Sequence, residues 1–203
     1  MSIRAIIFDW AGVFCSPGEP FAHPNLQEQT GLTLDQIGQK TKDIQAAYYL
    51  GQTSTAEFWT KVAKRLNLGQ LSPVELSRAY LSSYRLYPEM LRLAADLRPR
   101  YQTAILSNLT RLMMDHIVAE HQIKDFFDMV FFSNEIGYAK PDPLSYRFAL
   151  TKLKAKPEQT IFIDDSKTNL VAAAQLGLQT ILFESPEQCH QALAVFGVIT
   201  KPV

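Results

Sequence analysis

Two short apolar runs that each end in aspartate constrain the fold of this chain more than any other feature. Residues 6–8 are followed by Asp9, and residues 161–163 are followed by Asp164 and Asp165. Short apolar runs bounded by turn residues are typical of buried strands. Because ligands bind at the carboxyl ends of strands in an open parallel sheet, the two runs predict one site assembled from both strands. Asp9 is then a candidate nucleophile, and the acidic pair is a candidate set of metal ligands.

The region between the two runs carries mainly helix signals. Residues 26–86 contain almost no strand signal, and helix-start patterns begin at Ser54 and at Ser72, each with a glutamate three residues later. Apolar residues follow Ser54 at helical spacing, so an amphipathic helix is expected there. Because this stretch follows the first strand, the sequence predicts a helical cap domain over residues 15–87.

After Pro88 the pattern changes to an alternation of helices with apolar strands. Helices are predicted at residues 88–97, 109–120, 143–152 and 169–176, and strands at residues 103–106, 129–132, 160–163 and 179–183. Such alternation favours a parallel sheet covered on both faces. The predicted fold class is therefore α/β, a three-layer Rossmann-like parallel sheet with the helical cap inserted after strand 1. Residues 1–14 and 88–203 form the predicted core domain.

Composition excludes several classes of protein. The chain has 203 residues, 47% of them hydrophobic and 20% charged, which is typical of a globular protein of one domain, with or without an insertion. The formal net charge is zero and no run is rich in Lys or Arg, so no nucleic-acid partner is expected. No stretch approaches the roughly 20 apolar residues of a membrane span. Asp9 interrupts the N-terminal apolar run, so no signal peptide is expected, and two cysteines favour reduced thiols and a cytoplasmic location.

Four groups of polar residues fall at predicted strand ends or in the neighbouring loops. They are Asp9, Ser107 with Asn108, Lys140, and the acidic pair at 164–165. Phosphoryl transfer needs a nucleophile together with donors and cations that stabilise charge on the phosphoryl oxygens. Asp9 can attack, and Ser107 and Lys140 can stabilise that charge. Mg²⁺ prefers oxygen ligands, so the three carboxylates suit it.

The order of these motifs resembles the haloacid dehalogenase superfamily, on its phosphatase side. The family's apolar strand with its nucleophile matches residues 8–13, and its strand-end Ser/Thr matches Ser107. Its lysine, often followed by proline, matches Lys140, and its acidic pair before a helix matches Asp164 and Asp165. The resemblance covers nearly the whole chain, and the helical insertion resembles the family's helical cap.

The resemblance implies a role for each matching residue. Catalytic roles fall to Asp9, Ser107 and Lys140, and phosphate binding falls to Ser107, Asn108 and Lys140. Mg²⁺ would be bound by Asp9, the backbone carbonyl of Ala11, Asp164 and Asp165. Within the family, the chain most resembles bacterial enzymes that act on sugar phosphates such as glucose 1-phosphate. The expected partner is a small phosphorylated substrate, and the sequence does not give the oligomeric state.

Ala11 is a departure from the family pattern. Most of the family's phosphatases have a second aspartate two residues after the nucleophile, and this aspartate is the general acid and base. Ala11 keeps the backbone carbonyl but cannot transfer a proton, and His23 is the nearest replacement in sequence. Two alternatives stay open: a metal-free 2-haloacid dehalogenase, and a catalytically silent relative that binds a phosphorylated ligand. Asp164 and Asp165 could also serve only to cap the helix that follows.

Overall fold

A five-stranded parallel sheet forms the centre of the computed structural model, which describes residues 2–16, 21, 23–69 and 71–198. The strands are β1 (Ala5–Phe8), β2 (Gln102–Ser107), β3 (Met129–Phe132), β4 (Thr160–Asp164) and β5 (Gln179–Leu182). They lie in the order β3-β2-β1-β4-β5, and every neighbouring pair is parallel. The strand order therefore reverses direction at β1, which places a crevice at its carboxyl end.

Eleven α-helices occur in the described ranges. They are α1 (Pro24–Thr30), α2 (Leu34–Lys40), α3 (Lys42–Tyr49), α4 (Thr55–Leu66), α5 (Pro73–Ser82), α6 (Pro88–Leu97), α7 (Arg111–His121), α8 (Ser133–Ile136), α9 (Pro143–Leu153), α10 (Lys167–Gln175) and α11 (Pro186–Val195). Short 3₁₀ turns cover Ile123–Asp125 and Pro157–Gln159. None of the helices in these ranges is long and apolar enough to cross a membrane.

The sheet is covered by helices on both faces, as the sequence predicts. Ile6 and Phe8 of β1 pack into a cluster with residues of α6, α7 and α11. Ile7 packs into a second cluster with residues of α9 and α10 on the opposite face. Successive side chains of a strand point to opposite faces, so an apolar strand can serve both layers. The three-layer α/β fold is thereby confirmed.

The helical segment, which we define as residues 24–82, contains α1 to α5. Ser54 accepts a hydrogen bond from the backbone N–H of Glu57, whose carboxylate accepts the N–H of Ser54 at 2.9 Å. Ser72 and Glu75 form the same reciprocal pair at the start of α5. Both predicted helix starts are confirmed. The segment has an apolar interior of its own, in which the ring of Tyr48 stacks on Phe58 with centroids 4.3 Å apart.

Two short linkers that run side by side join the helical segment to the sheet. The N–H of Tyr87 donates to the carbonyl of Phe14 at 2.7 Å, and the N–H of Ser16 donates to the carbonyl of Arg85 at 2.8 Å. A further contact joins α3 to α8, where the hydroxyl of Ser133 donates to the carbonyl of Tyr49 at 2.6 Å. The division into a core and a cap domain stays a prediction.

Several predicted boundaries shift by one or two residues. The helix predicted from residue 109 begins at Arg111, because the side chain of Thr110 caps it by accepting the N–H of Met113. The helix predicted from residue 169 begins at Lys167. Three prolines and a glycine predict a loop over residues 14–24, and this range falls partly outside the described residues, at 17–20 and 22.

Candidate active site

Three neighbouring strands bring the predicted carboxylates and hydroxyl to one edge of the sheet. Asp9 directly follows β1, and its N–H donates to the carbonyl of Ile163 in β4 at 2.8 Å. Asp164 is the last residue of β4, and Ser107 is the last residue of β2. Because β1 lies between β2 and β4, Asp9 stands at the centre of this group.

Lys140 bridges the two buried carboxylates. Its Nζ lies 2.9 Å from Oδ1 of Asp9 and 2.7 Å from Oδ2 of Asp164. The lysine side chain is 1% exposed and that of Asp164 is 0% exposed. Buried charges are stable only when they are paired and hydrogen-bonded, so the ammonium group holds both carboxylates in place.

Three donors converge on the same oxygen of Asp9. Besides the ammonium of Lys140, the hydroxyl of Ser107 donates to Oδ1 at 2.5 Å, and the N–H of Trp10 donates to it at 2.7 Å. Such a set of donors is what a negatively charged phosphoryl oxygen also requires. Ser107 and Lys140 therefore lie where the sequence predicts them, in contact with the candidate nucleophile.

Groups other than Lys140 also hold Asp164 in place. Its Oδ1 accepts the N–H of Ser166 at 2.7 Å and the Nδ2 of Asn169 at 3.1 Å. The pKa of Asp164 is raised from 3.8 to about 6, because burial and then the charge of Asp9 raise it more than Lys140 and the N–H of Ser166 lower it. Asp164 thus contacts the backbone where α10 begins, as the helix-capping alternative predicts. It also lies in the carboxylate cluster, as the site prediction requires.

Asp165 is the exposed member of the cluster and lies against Gly12. Burial and the charge of Asp9 raise the pKa of its carboxyl. Gly12 has a φ of +87°, and a Cβ at this position would lie 2.2 Å from Oδ2 of Asp165. Any other residue at this position would be strained and would also collide with the carboxylate. The glycine in the turn after β1 therefore allows Asp165 to approach.

The three carboxylates fit a hard divalent cation. Asp9, Asp164 and Asp165 each offer one oxygen, and these oxygens lie within 4.8 Å of one another. When all are ionised, Lys140 balances only one of their three charges. Mg²⁺ prefers oxygen ligands and would balance the remaining two. Ala11, whose backbone carbonyl is the other predicted ligand, follows Asp9 by two residues.

Two amide side chains complete the site through contacts that the sequence did not predict, and the phosphate-binding role of Asn108 stays a prediction. The amide of Asn108 bonds to both backbone groups of Lys140, and the amide of Asn169 bonds to Asp164. Asn169 lies in the first turn of α10, so its spacing from Asp164 is a signal that could have identified this contact. The role of His23 as a proton donor stays a prediction.

Comparison with known proteins identifies the family. Residues 3–177 match the model of the haloacid dehalogenase-like hydrolases. The phosphatase MT3486 of Mycobacterium tuberculosis is 28% identical over 202 residues, which cover 95% of this chain and 93% of that protein. D-ribitol-5-phosphate phosphatase of Bacteroides thetaiotaomicron is 24% identical over 213 residues, which cover 95% and 98%. Drimenol cyclase drtB of Aspergillus calidoustus is 22% identical, and the match spans only 37% of that longer protein.

Solved structures share the fold. A haloacid dehalogenase (HAD) family enzyme, bt-2542 of Bacteroides thetaiotaomicron, in complex with magnesium and inorganic phosphate, superposes with a TM-score of 0.80 at 22% identity, over 90% of this chain and 95% of that one. L-2-haloacid dehalogenase of Xanthobacter autotrophicus superposes with a TM-score of 0.63 at 21% identity, over 97% and 84%. The family match over residues 3–177 and the shared fold agree, and this chain belongs to the haloacid dehalogenase-like hydrolase family.

Proposed function

We propose that this hydrolase is a Mg²⁺-dependent phosphatase of small phosphorylated metabolites. The observation that carries the proposal is the cluster of Asp9, Lys140 and Asp164, with Asp165 beside it. The charge of the three carboxylates exceeds that of the single ammonium, which favours a bound cation. Two relatives named as phosphatases, and a structural neighbour that holds magnesium and phosphate, support the same activity.

Asp9 acts as the nucleophile in this proposal. One of its carboxylate oxygens attacks phosphorus, a new O–P bond forms, and the bond from phosphorus to the leaving oxygen breaks with its electron pair. The hydroxyl of Ser107 and the ammonium of Lys140 then donate to phosphoryl oxygens instead of to Asp9. Water next attacks the aspartyl-phosphate, which releases inorganic phosphate and restores the carboxylate.

Four oxygen ligands would hold the cation, namely those of Asp9, Asp164, Asp165 and the backbone carbonyl of Ala11. Bound Mg²⁺ would neutralise negative charge on the phosphoryl group. The other contacts of the site are made between residues of the chain. The N–H of Ser166 and the amide of Asn169 orient Asp164, and Lys140 donates to its Oδ2 at 2.7 Å.

The helical segment is the proposed cap, and it governs the choice of substrate. The residues at the sheet edge offer contacts for phosphate and metal, whereas an enclosed site is completed by the element that covers it. Sugar and polyol phosphates, such as glucose 1-phosphate, are the proposed substrate class, and the relative named for D-ribitol 5-phosphate supports it. Replacing residues 24–82 with the corresponding segment of a relative should reorder the preferred substrates. An unchanged order would place specificity in the core loops.

Ala11 adds a preference for good leaving groups. General acid catalysis contributes about 10²–10⁴-fold, and alanine cannot supply it. Anomeric sugar phosphates, acyl phosphates and aryl phosphates should therefore react faster than simple alkyl phosphates. Single-turnover rates for a series of aryl and alkyl monophosphates should fall steeply as the pKa of the leaving group rises. A flat series would reveal another acid, and His23→Ala should then restore the slope.

The direct test is phosphate release from a panel of phosphorylated metabolites with Mg²⁺ and with excess EDTA. Turnover that requires Mg²⁺, together with rapid-quench detection of a phosphoryl group on the peptide that contains Asp9, would support the proposal. Chloride release from a 2-haloacid in EDTA would instead identify a dehalogenase. Thermal stabilisation by phosphorylated ligands without any turnover would identify a silent binding protein.

A further inference from the structure

The side-chain amide of Asn108 forms two hydrogen bonds with a single residue, Lys140. Its Oδ1 accepts the backbone N–H of Lys140 at 2.9 Å, and its Nδ2 donates to the backbone carbonyl of Lys140 at 2.7 Å. We infer that Asn108 is a positioning residue, which fixes the backbone of Lys140 and thereby places its ammonium between Asp9 and Asp164. The inference rests on the proposed function only where it concerns turnover.

Lys140 needs such a contact more than the other groups of the site. Asp9, Ser107 and Asp164 lie at the ends of paired strands, so the sheet fixes where they are. Lys140 lies between α8 and α9, where the chain has neither strand nor helix pairing. Its ammonium must still reach two carboxylates at 2.9 and 2.7 Å with a side chain of four methylene groups.

Asn108 connects the end of a sheet strand to the loop that contains Lys140. It directly follows Ser107, the last residue of β2, and it reaches a residue 32 positions later in the chain. A primary amide carries one acceptor and two N–H donors, so it can pair with both backbone groups of one residue much as a neighbouring strand would. The two hydrogen bonds therefore hold the backbone of Lys140 as pairing with a neighbouring strand would.

The geometry also separates two roles for Asn108. Both ends of its amide are engaged by the backbone of Lys140. Nδ2 has a second N–H, which could donate to a phosphate oxygen. The positioning role predicts that the side chain acts through Lys140, whereas direct contact with phosphate predicts an effect that does not depend on the lysine.

A double-mutant cycle tests this division of roles. Asn108→Ala alone should lower the single-turnover rate by about 10- to 100-fold, because a misplacement of about 1 Å costs on the order of 10²-fold. In a Lys140→Met background, the same substitution should change the residual rate by less than about threefold, since a residue that acts only through the lysine has nothing left to position. Equal losses in both backgrounds would show direct action on the substrate and overturn the inference.

Labelling of Lys140 gives a readout that is independent of turnover. With its side chain 1% exposed, Lys140 in the unaltered protein should react slowly with an amine-specific reagent, as followed by mass spectrometry. Asn108→Ala should increase its labelling at least severalfold. Asn169→Ala is the matched control, because it removes the other amide of the site without touching the backbone of Lys140. Unchanged labelling in Asn108→Ala would contradict the inference even if the protein proved inactive on every phosphorylated compound.

Asn108→Asp provides a second variant if the alanine variant does not fold. It retains an acceptor for the N–H of Lys140 and loses the donor to the carbonyl, so both the rate and the labelling should be intermediate. Values equal to those of the unaltered protein would show that the two-ended contact is not needed.

Discussion

The site at the sheet edge and the helical segment are stabilised in opposite ways. At the site, Lys140 pairs with Asp9 and Asp164, and its side chain is 1% exposed. In the helical segment, the ion pair of Arg65 with Asp43 leaves these side chains 45% and 67% exposed, and the interior is apolar and aromatic. Exposed pairs add little to stability, whereas a buried charge that loses its partner is costly.

This difference indicates which residues are free to vary. The helical segment keeps its shape through packing and helix caps, which many sequences can provide. The site depends on a few charges that have no substitute of the same shape and sign. We therefore expect the effects of substitutions on turnover and stability to differ between the two regions, both in kind and in size.

The largest expected effect is on turnover. Asp9→Asn should lower the single-turnover rate by at least about 10³-fold, because an amide cannot act as the nucleophile, while the circular dichroism spectrum stays the same. Asp43→Asn is the matched control, since it alters a carboxylate of the exposed pair in the helical segment. A variant at Asp9 that kept more than about a hundredth of the rate would contradict the covalent mechanism.

The second effect is on stability in the absence of metal. Lys140→Met should lower the free energy of unfolding by about 3–5 kcal/mol, because Asp9 and Asp164 lose their buried partner. Arg65→Met, which breaks the exposed pair with Asp43, should change it little. Urea denaturation in EDTA measures both, and similar losses in the two variants would remove the contrast between the regions.

The third effect is a pH dependence whose sign differs between the regions. The pKa of Asp164 is raised from 3.8 to about 6 by burial, so the folded state holds this proton more tightly than the unfolded state. Stability from this group is lost as the pH rises from about 4 through about 6, by at most about 3 kcal/mol. In the helical segment, hydrogen bonds from Ser54 lower the pKa of Glu57, so that contribution is lost as the pH falls instead.

Denaturation in EDTA between pH 4 and pH 7 separates these contributions. Asp164→Asn should make the slope of stability against pH more positive, and Glu57→Gln should make it less positive. Mg²⁺ should stabilise the unaltered protein most above pH 6, where the carboxylates are ionised. Slopes that move in the same direction in both variants would show that the two regions do not differ in this way.

The smallest effect concerns a helix cap. Ser54→Ala removes the acceptor for the N–H of Glu57 and should cost about 1 kcal/mol of stability without changing turnover. Thr60→Ala is the control in the same helix, because its hydroxyl bonds only to a carbonyl one turn earlier, at Ala56. We expect this control to leave the unfolding midpoint nearly unchanged. A large loss of rate in Ser54→Ala would mean that the helical segment also orders the site.

The sequence predicted those parts of the fold and site that depend on local pattern. Apolar runs located the strands, and therefore Asp9, Ser107 and Asp164 at their ends. The helix starts at Ser54 and Ser72 followed from side-chain chemistry within four residues. These features could be predicted because each one is encoded by residues that are close together in the chain.

Contacts between distant residues could not be predicted in the same way. Nothing in the local sequence shows that Lys140 is buried, and the chemistry of the motif and its resemblance to a family predicted a role for the lysine but none of its contacts. The two-ended contact of Asn108 joins a strand end to a loop 32 residues away, so it depends on how the loop folds back. The strand order with β1 at the centre is likewise a property of the assembled sheet.

The pairing of β1 with β4 has a consequence for how faithfully the molecule must fold. Phe8 is aligned with Ile163, and both strands are buried on both faces, so apolar contacts alone do not distinguish this alignment from a shift by one residue. Such a shift would turn Asp164 to the other face of the sheet and move its carboxylate away from Lys140. The paired carboxylates of the candidate site therefore favour the correct register over a shifted one. Specific activity should report the fraction of molecules whose strands are correctly aligned, even where secondary structure and compactness look normal.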